Sequence, residues 1–319
     1  MSKNICVVGA GYWGENHIRA LNRLNALKGI VELDKNKLEN LLNKYPGVQG
    51  YSSIENALLG DYDGFIIATP AKTHYDIAKI IMNAKKHLLI EKPMTLSVEE
   101  AKELVVLSEK NEVNAMVGHV LLFHPAVKKI KEMIDSGEIG DLQYAYSNRL
   151  NLGKVRTEEN VFWSLAPHDI AIFQYLTESI PKQINAIGST FLQEGIPDST
   201  LTQLEYENGV RGHIFVSWLH PFKEHRLVVI GSEAMISFED SLEDKPLKLY
   251  SKRIDLKSGI PEKIDGPVKM IPFENKMALD QELEYFINHL SHVAPKISNV
   301  EHGYEVVKTL VEASKQILR

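Results

Sequence analysis

Two clusters of residues in this chain could do chemistry. The first is Gly9-Ala10-Gly11-Tyr12-Trp13-Gly14, which fits G-x-G-x-x-G and follows the apolar run at residues 4–8. Glycines at this spacing let a backbone turn tightly and approach a pyrophosphate, and the helix that opens there turns its positive end toward the phosphates. The pattern is weak alone and gains meaning from its context of strand, glycine turn and helix. Glu32 ends the next apolar run, with Asp34 close behind. A carboxylate at that strand tip accepts hydrogen bonds from ribose hydroxyls and repels a 2′-phosphate, so NAD is expected rather than NADP. Thr69-Pro70 ends a further apolar run and should line the same crevice. His74 follows one helical turn later and either reaches the cofactor or sits exposed at a helix N-terminus.

The second cluster is Glu91-Lys92-Pro93, behind the apolar Leu88-Leu89-Ile90. A Glu-Lys-Pro triplet standing alone is a solvated turn. At the carboxyl end of a parallel strand the same lysine points into the ligand crevice, and Pro93 stiffens the backbone behind it. The expected cofactor-lining set is therefore Gly9, Gly11, Tyr12, Trp13, Gly14, Glu32, Asp34, Thr69, Pro70, His74, Glu91 and Lys92. No His, Cys and carboxylate cluster has metal-ligand spacing, and no metal is expected.

These residues need a scaffold. Through about residue 120 strand and helix patterns alternate: strands at 4–8, 27–33, 64–68, 88–90 and 115–118, with helices at 14–24, 74–85, 97–111 and 125–136 about them. Ser97 and Glu100 form a capping box. This is an α/β, doubly wound parallel sheet of the Rossmann kind. Beyond Gly140 strands follow strands, at 141–149, 183–191, 201–206, 210–217, 226–231 and 235–239, with a helix near 168–176 and terminal helices at 278–291 and 303–318. Asn208-Gly209 signals a hairpin. The second half is expected to be an α+β domain with a large open, mostly antiparallel sheet. The expected division is 1–120, a nucleotide-binding domain, and 121–319, a substrate-binding and oligomerisation domain.

Composition narrows the function classes. With 319 residues, 44% hydrophobic and 24% charged, the chain can bury two cores. A net charge of -6 argues against non-specific nucleic-acid binding. The single cysteine, Cys6, cannot form an internal disulfide, and residues 1–4 lead into a strand without a signal-peptide pattern. A cytoplasmic enzyme with no membrane span is expected.

The nucleotide motif, the Thr-Pro turn, the Glu-Lys-Pro triplet and the antiparallel second half together resemble the glucose-fructose oxidoreductase/inositol dehydrogenase family (Gfo/Idh/MocA) over essentially the whole chain. In that family the Glu-Lys-Pro lysine reaches the reacting hydroxyl and a second-domain histidine carries the proton; the matching residues are Lys92 and His168. Four segments resemble the sugar-nucleotide branch, the UDP-N-acetylglucosaminuronate 3-dehydrogenases: residues 11–17, 118–125, 217–221 and, longest, 148–156 continuing through 160–170. The resemblance implies NAD-dependent oxidation of the 3-hydroxyl of UDP-N-acetylglucosaminuronic acid, or a close epimer, for surface-polysaccharide sugars. The alternatives are a family dehydrogenase of a free sugar or inositol, and a non-catalytic NAD-binding sensor. One departure stands out: where the broad family has an aspartate four residues before the histidine, this chain has Ser164, which brings no charge to orient His168.

The chemistry agrees with these assignments. A histidine near neutrality can take a hydroxyl proton, and a lysine can orient the oxygen and stabilise developing charge. His168 otherwise reads as a buried histidine bonded to a backbone carbonyl. Arg149, Lys154 and Arg156 either clamp an anionic substrate or form an ordinary basic loop. Asn151 and Asn160 could read sugar hydroxyls, and Trp163 offers a ring face or a core side chain. The roles of His17, His119 and His124 are open. Asp169 is set aside as an orienter of His168, since helical neighbours point apart. A homodimer or homotetramer through the C-terminal sheet is expected.

Overall fold

A computed structural model of the protein describes residues 3–153, 155–256, 259–291 and 293–318. The chain forms two compact units: one from the chain up to Phe123 together with Lys276–Lys308, the other from His124–Asn275 together with the chain from Thr309 onward. The sequence suggests a single boundary after residue 120; the structure crosses after 123, returns at 276 and crosses again after 308. The return has a packing reason. A Cβ on Gly64 would lie 2.7 Å from Leu290, so residues beyond 276 close directly on the nucleotide-type sheet. Asn114 Nδ2 also donates to the carbonyls of His289, Ser291 and Val293.

The first unit runs β1 (Ile5–Val8), α1 (Tyr12–Arg23), β2 (Leu27–Val31), α2 (Lys35–Lys44), β3 (Gln49–Tyr51), α3 (Ile54–Leu58), β4 (Gly64–Ile67), α4 (His74–Asn83), β5 (His87–Glu91), α5 (Val98–Asn111) and β6 (Ala115–Gly118). Its six strands lie in the order β3-β2-β1-β4-β5-β6, all parallel. The strands β1, β4 and β6 are buried at every position, which is why each reads as an unbroken apolar run. The order reverses between β1 and β4, where such sheets open a ligand crevice at their carboxyl ends. Ser97 Oγ accepts from the Glu100 amide at 3.2 Å, as the capping box predicts. From the sequence no element is expected between Asp34 and Gly64, where the structure has α2, β3 and α3, although Leu38, Leu41 and Leu42 of α2 recur at helical spacing. The edge strand β3 is Gln-Gly-Tyr, without a buried residue, and α3 has only five residues.

The second unit holds α6 (Pro125–Asp135), β7 (Leu142–Leu150), α7 (Val161–Thr177), β8 (Pro181–Ser189), β9 (Ser199–Tyr206), β10 (Arg211–Ser217), β11 (Glu224–Gly231), β12 (Met235–Glu239), β13 (Leu247–Tyr250), β14 (Arg253–Asp255), β15 (Glu262–Ile264) and β16 (Val268–Met270). Eight strands form one sheet in the order β16-β13-β12-β11-β7-β10-β9-β8. Only β7 and β10 pair in parallel within it. The Asn-Gly hairpin forms as expected, with Gly209 at φ +86° and the Tyr206 amide bonded to the Val210 carbonyl. Alternate residues of β7 and β9, among them Ala145, Ser147, Thr202 and Leu204, are buried beneath α7. The opposite face carries Tyr144, Tyr146 and Phe215, all half-buried. Two further helices, α8 (Ala278–Asn288) and α9 (Val300–Ile317), complete the chain. No helix among the described residues is long and apolar enough to cross a membrane.

Candidate functional site

In the first unit the parallel sheet brings the expected cofactor residues to one edge, because β1, β2, β4 and β5 all end there. Each glycine of the loop has its own reason. Gly9 sits at φ +88°, where a Cβ would lie 2.7 Å from Thr69 Cγ2. Gly14 lets α1 close on the loop, since a Cβ would approach the Gly9 carbonyl to 2.0 Å. Gly11 faces open space, with nothing within 4 Å of its Cβ position, and is the N-cap of α1 without any side-chain cap. Its amide end is left for a ligand's phosphates.

Glu32 accepts from the Ala10 amide at 2.9 Å through one carboxylate oxygen and from the Asp34 amide at 3.1 Å through the other. It ties the glycine loop to the tip of β2 and keeps lone pairs for ribose hydroxyls. Asp34 is the exposed N-cap of α2, accepting from the Lys37 amide at 3.1 Å through one carboxylate oxygen. Tyr12 is 81% exposed and Trp13 37%, both on the first turn of α1. This arrangement fits an NAD cofactor: a glycine cradle, an uncapped helix end and a carboxylate at the ribose position.

His74 is neither exposed nor turned toward a ligand. It is buried, with Nε2 2.8 Å from the Thr69 carbonyl oxygen and Nδ1 2.9 Å from that of Pro93. Burial pulls its pKa below the ordinary value against the opposing effect of the two carbonyls and Glu91. Thr69 is fastened in turn by the Thr73 hydroxyl at 2.8 Å. Glu91 also turns inward: one oxygen lies 2.7 Å from His17 Nε2 and the other accepts from the Lys92 amide at 3.2 Å. Glu91 and His74 are thus corrected from cofactor contacts to supports. Lys92 itself is half-buried at the carboxyl end of β5, and its bond to Pro93 is cis. His119 is buried beside His302, and burial, with help from His302 and Lys92, holds its pKa well below the usual value.

The second unit carries the remaining candidates around α7. His168 is half-buried on this helix, one turn beyond Ser164. Asn160 caps the helix by accepting from the Trp163 amide at 3.1 Å. The Trp163 indole N–H donates to Ser314 of α9 at 2.9 Å, which favours the structural reading of that ring. Arg149 requires the largest correction. Its fork closes on Asp169, Nε to Oδ2 at 2.8 Å and Nη2 to Oδ1 at 2.9 Å, with both side chains buried. Burial opposes the charge, but the Asp169 carboxylate prevails and raises the Arg149 pKa. A desolvated guanidinium must pair with a carboxylate inside the fold, so Arg149 does not offer its fork to a substrate. The third donor, Nη1, faces His225 at 3.4 Å, whose pKa is pushed down to about 3 by burial, then by Arg149 and Lys223. Asp169 carries no signal of this role in the sequence; the packing of α7 on β7 identifies its partner.

Arg156 remains exposed, with a 3.7 Å pairing to Glu159. Lys154 lies outside the described residues. Asn151 is half-buried, its amide bonded to the Ser217 carbonyl at 3.1 Å. His124 proves to be the N-cap of α6, accepting from the Ala126 amide at 3.1 Å. Among the described residues no group of His, Cys, Asp and Glu could hold a metal.

A glycine cradle, a ribose carboxylate and a crevice lysine on a doubly wound sheet define a nicotinamide-dependent oxidoreductase. Residues 3–119 match the oxidoreductase family with the NAD-binding Rossmann fold, and residues 127–237 match the GFO/IDH/MocA C-terminal domain. The chain belongs to the Gfo/Idh/MocA oxidoreductase family, and its cofactor is NAD. It is 25% identical over 309 residues to UDP-N-acetylglucosamine 3-dehydrogenase of Acidithiobacillus ferrooxidans, covering 96% of this chain and 94% of that protein. It is 28% identical to the NAD-dependent scyllo-inositol 2-dehydrogenase of Bacillus subtilis, over 72% of each chain. The solved structure of the Acidithiobacillus enzyme superposes with a TM-score of 0.88 at 22% identity, covering 100% of this chain and 98% of that one.

Proposed function

We propose that this protein oxidises the 3-hydroxyl of a UDP-linked N-acetylhexosamine sugar, with UDP-N-acetylglucosaminuronate or a close epimer as substrate, in the supply of surface-polysaccharide sugars. The observation that carries the reading is the placement of Lys92. It follows β5 at that strand's carboxyl end, next to the strand that leads into the Thr69 turn and two strands from the one that leads into the glycine loop, at the crevice edge of a sheet that binds NAD. Support also comes from the 3-dehydrogenase relative, which spans both units. Bound NAD supplies the hydride acceptor. Lys92 acts as the group that orients the reacting oxygen and stabilises its developing charge. His168 acts as the base that takes the hydroxyl proton, with Ser164 one helical turn away in place of a carboxylate. Arg156 is an exposed cation for the substrate's anionic groups, and Asn151 stands on the same connection.

The test is turnover. Purified protein with NAD should reduce the cofactor fastest with UDP-N-acetylglucosaminuronate, more slowly with UDP-N-acetylglucosamine and least with myo-inositol. A neutral cyclic polyol is the rival reading, favoured by the inositol dehydrogenase relative and by the pairing of Arg149 with Asp169. Preferred turnover of myo-inositol would establish it. NAD binding with no product from any of the three would point to a sensor. The half-buried face of Tyr144, Tyr146 and Phe215 is proposed to pair with a second subunit in a homodimer or homotetramer. Light scattering of the protein and of Tyr146→Glu would read that state directly.

A further inference from the structure

We propose that His17 and His74 are positioning residues for Lys92: two buried imidazoles grip the residues on either side of it and tie its turn to the two loops that cradle the cofactor. The proposal rests on reading Lys92 as the residue that orients the reacting oxygen. Lysine carries its charge on a flexible four-carbon stem, so its precision depends on how firmly its backbone is held. Here both flanks are held. Upstream, His17 Nε2 lies 2.7 Å from the Glu91 carboxylate. That carboxylate is seated tightly, since a Cβ on Gly118 would fall 3.1 Å from its second oxygen. The same oxygen accepts from the Lys92 amide. Downstream, His74 Nδ1 donates to the Pro93 carbonyl at 2.9 Å, while its other ring nitrogen lies 2.8 Å from the Thr69 carbonyl oxygen.

The other ends of these grips matter equally. His17 lies on α1, whose N-terminus is the glycine loop, and Thr69 belongs to the turn after β4. Both histidines are at most 1% exposed, so neither bond competes with water. A shift of the glycine loop is therefore passed to the lysine through α1 and His17, and a shift of the Thr-Pro turn through His74, which opens the helix directly after that turn. The donors are assigned by chemistry. A carboxylate accepts, so His17 carries its proton on Nε2. Both partners of His74 are carbonyls, which cannot donate, and a neutral ring has one N–H. Burial keeps this ring toward its neutral form. Its proton is on Nδ1 when it grips Pro93.

Amide side chains separate these bonds, because asparagine places its N–H near the Nδ1 position and glutamine near Nε2. The variants His74→Asn, His74→Gln, His17→Gln and His17→Asn are made in the full-length protein, with and without Lys92→Ala. Three quantities are measured: kcat for NAD reduction with UDP-N-acetylglucosaminuronate, Kd for NAD, and amide exchange of the peptide spanning residues 91–97. Asparagine at 74 and glutamine at 17 should rescue most of kcat. The reverse choices should lower it about 10- to 100-fold, the scale of a misplacement near 1 Å. They should speed exchange at 91–97 about tenfold, leave Kd for NAD within about threefold, and cost nothing more in the Lys92→Ala background. Equal loss for asparagine and glutamine at 74, or full loss persisting without Lys92, overturns the proposal. If Lys92→Ala itself keeps wild-type turnover, or no substrate turns over, the reading of Lys92 fails separately. The exchange pattern then decides the clamp: slow exchange in His74→Asn with fast exchange in His74→Gln upholds it, and identical exchange rejects it.

Discussion

Replacing Asp169 with asparagine should be among the most damaging single substitutions in the second unit. The side chain keeps its shape and loses its charge. Arg149 then stays buried with one amide oxygen in place of two carboxylate oxygens at 2.8 and 2.9 Å, and an amide N–H₂ turned toward its own donors. His225 gives no relief, since a ring with a pKa of about 3 is neutral and its environment already disfavours charge. Breaking a buried pair from one side costs about 3–5 kcal/mol, mostly the penalty of the stranded ion. For a cooperative unit of this size that is a fall in Tm of about 6–20 °C, at roughly 2–4 °C per kcal/mol. Calorimetry at neutral pH reads it directly. The companion variant removes both charges, Arg149→Met with Asp169→Leu, and should recover most of the loss because no ion is left uncompensated. Arg149→Lys tests the functional corollary: it should lower stability while changing KM for UDP-N-acetylglucosaminuronate less than about threefold, below 1 kcal/mol. The argument is refuted if Asp169→Asn costs under about 1 kcal/mol, or if the double variant loses as much as the two single ones summed. Either result would return Arg149 to the list of substrate contacts.

Three other outcomes follow from the first unit. Glu282 is fully buried, neither oxygen has a hydrogen-bond partner among the described residues, and burial, with the Glu91 charge, raises its pKa well above the ordinary value. The folded state therefore holds a proton that the unfolded chain releases above about pH 4.5, so stability falls by about 1.4 kcal/mol per pH unit from there up to the raised pKa. Glu282→Gln should match the wild type in acid and exceed it increasingly toward neutrality in urea titrations; parallel pH profiles would contradict this. Gly14→Ala, whose Cβ would meet the Gly9 carbonyl at 2.0 Å, should lower Tm without cofactor, whereas Gly11→Ala should leave that Tm within about 1 °C and weaken NAD binding alone. Glu32→Ala should raise Kd for NAD about 10- to 100-fold, at about 1.5–3 kcal/mol for a lost charged hydrogen bond, and narrow the preference over NADP in fluorescence titrations.

What could be read from the sequence divides by the range of the interactions involved. Glu32 was legible because it follows the next strand, and Gly9, Gly11 and Gly14 because backbone geometry imposes their spacing within one strand-turn-helix unit. Ser97 and Asn208-Gly209 were legible for the same reason. The errors concern side chains whose partners are distant in the chain. Arg149 and Asp169 are twenty residues apart, and nothing local to either says that they meet. Glu91 and His17 are separated by seventy-four. The return of the chain at 276 is equally silent, since an amphipathic helix shows that it has an apolar face but not what covers it.

The same division bears on how the candidate site works. Of the charged and ring side chains first assigned to ligands, Arg149, Glu91 and His74 are buried against protein groups, while Asp34 caps a helix through one oxygen and stays exposed. Residue type and motif single out polar side chains, and most of those kept in a fold's interior are paired. They could not separate the groups that touch a ligand from those that hold them. Burial bears on that separation: a side chain whose donors are used inside the fold has none of them to give, as with Nε and Nη2 of Arg149 closed on Asp169.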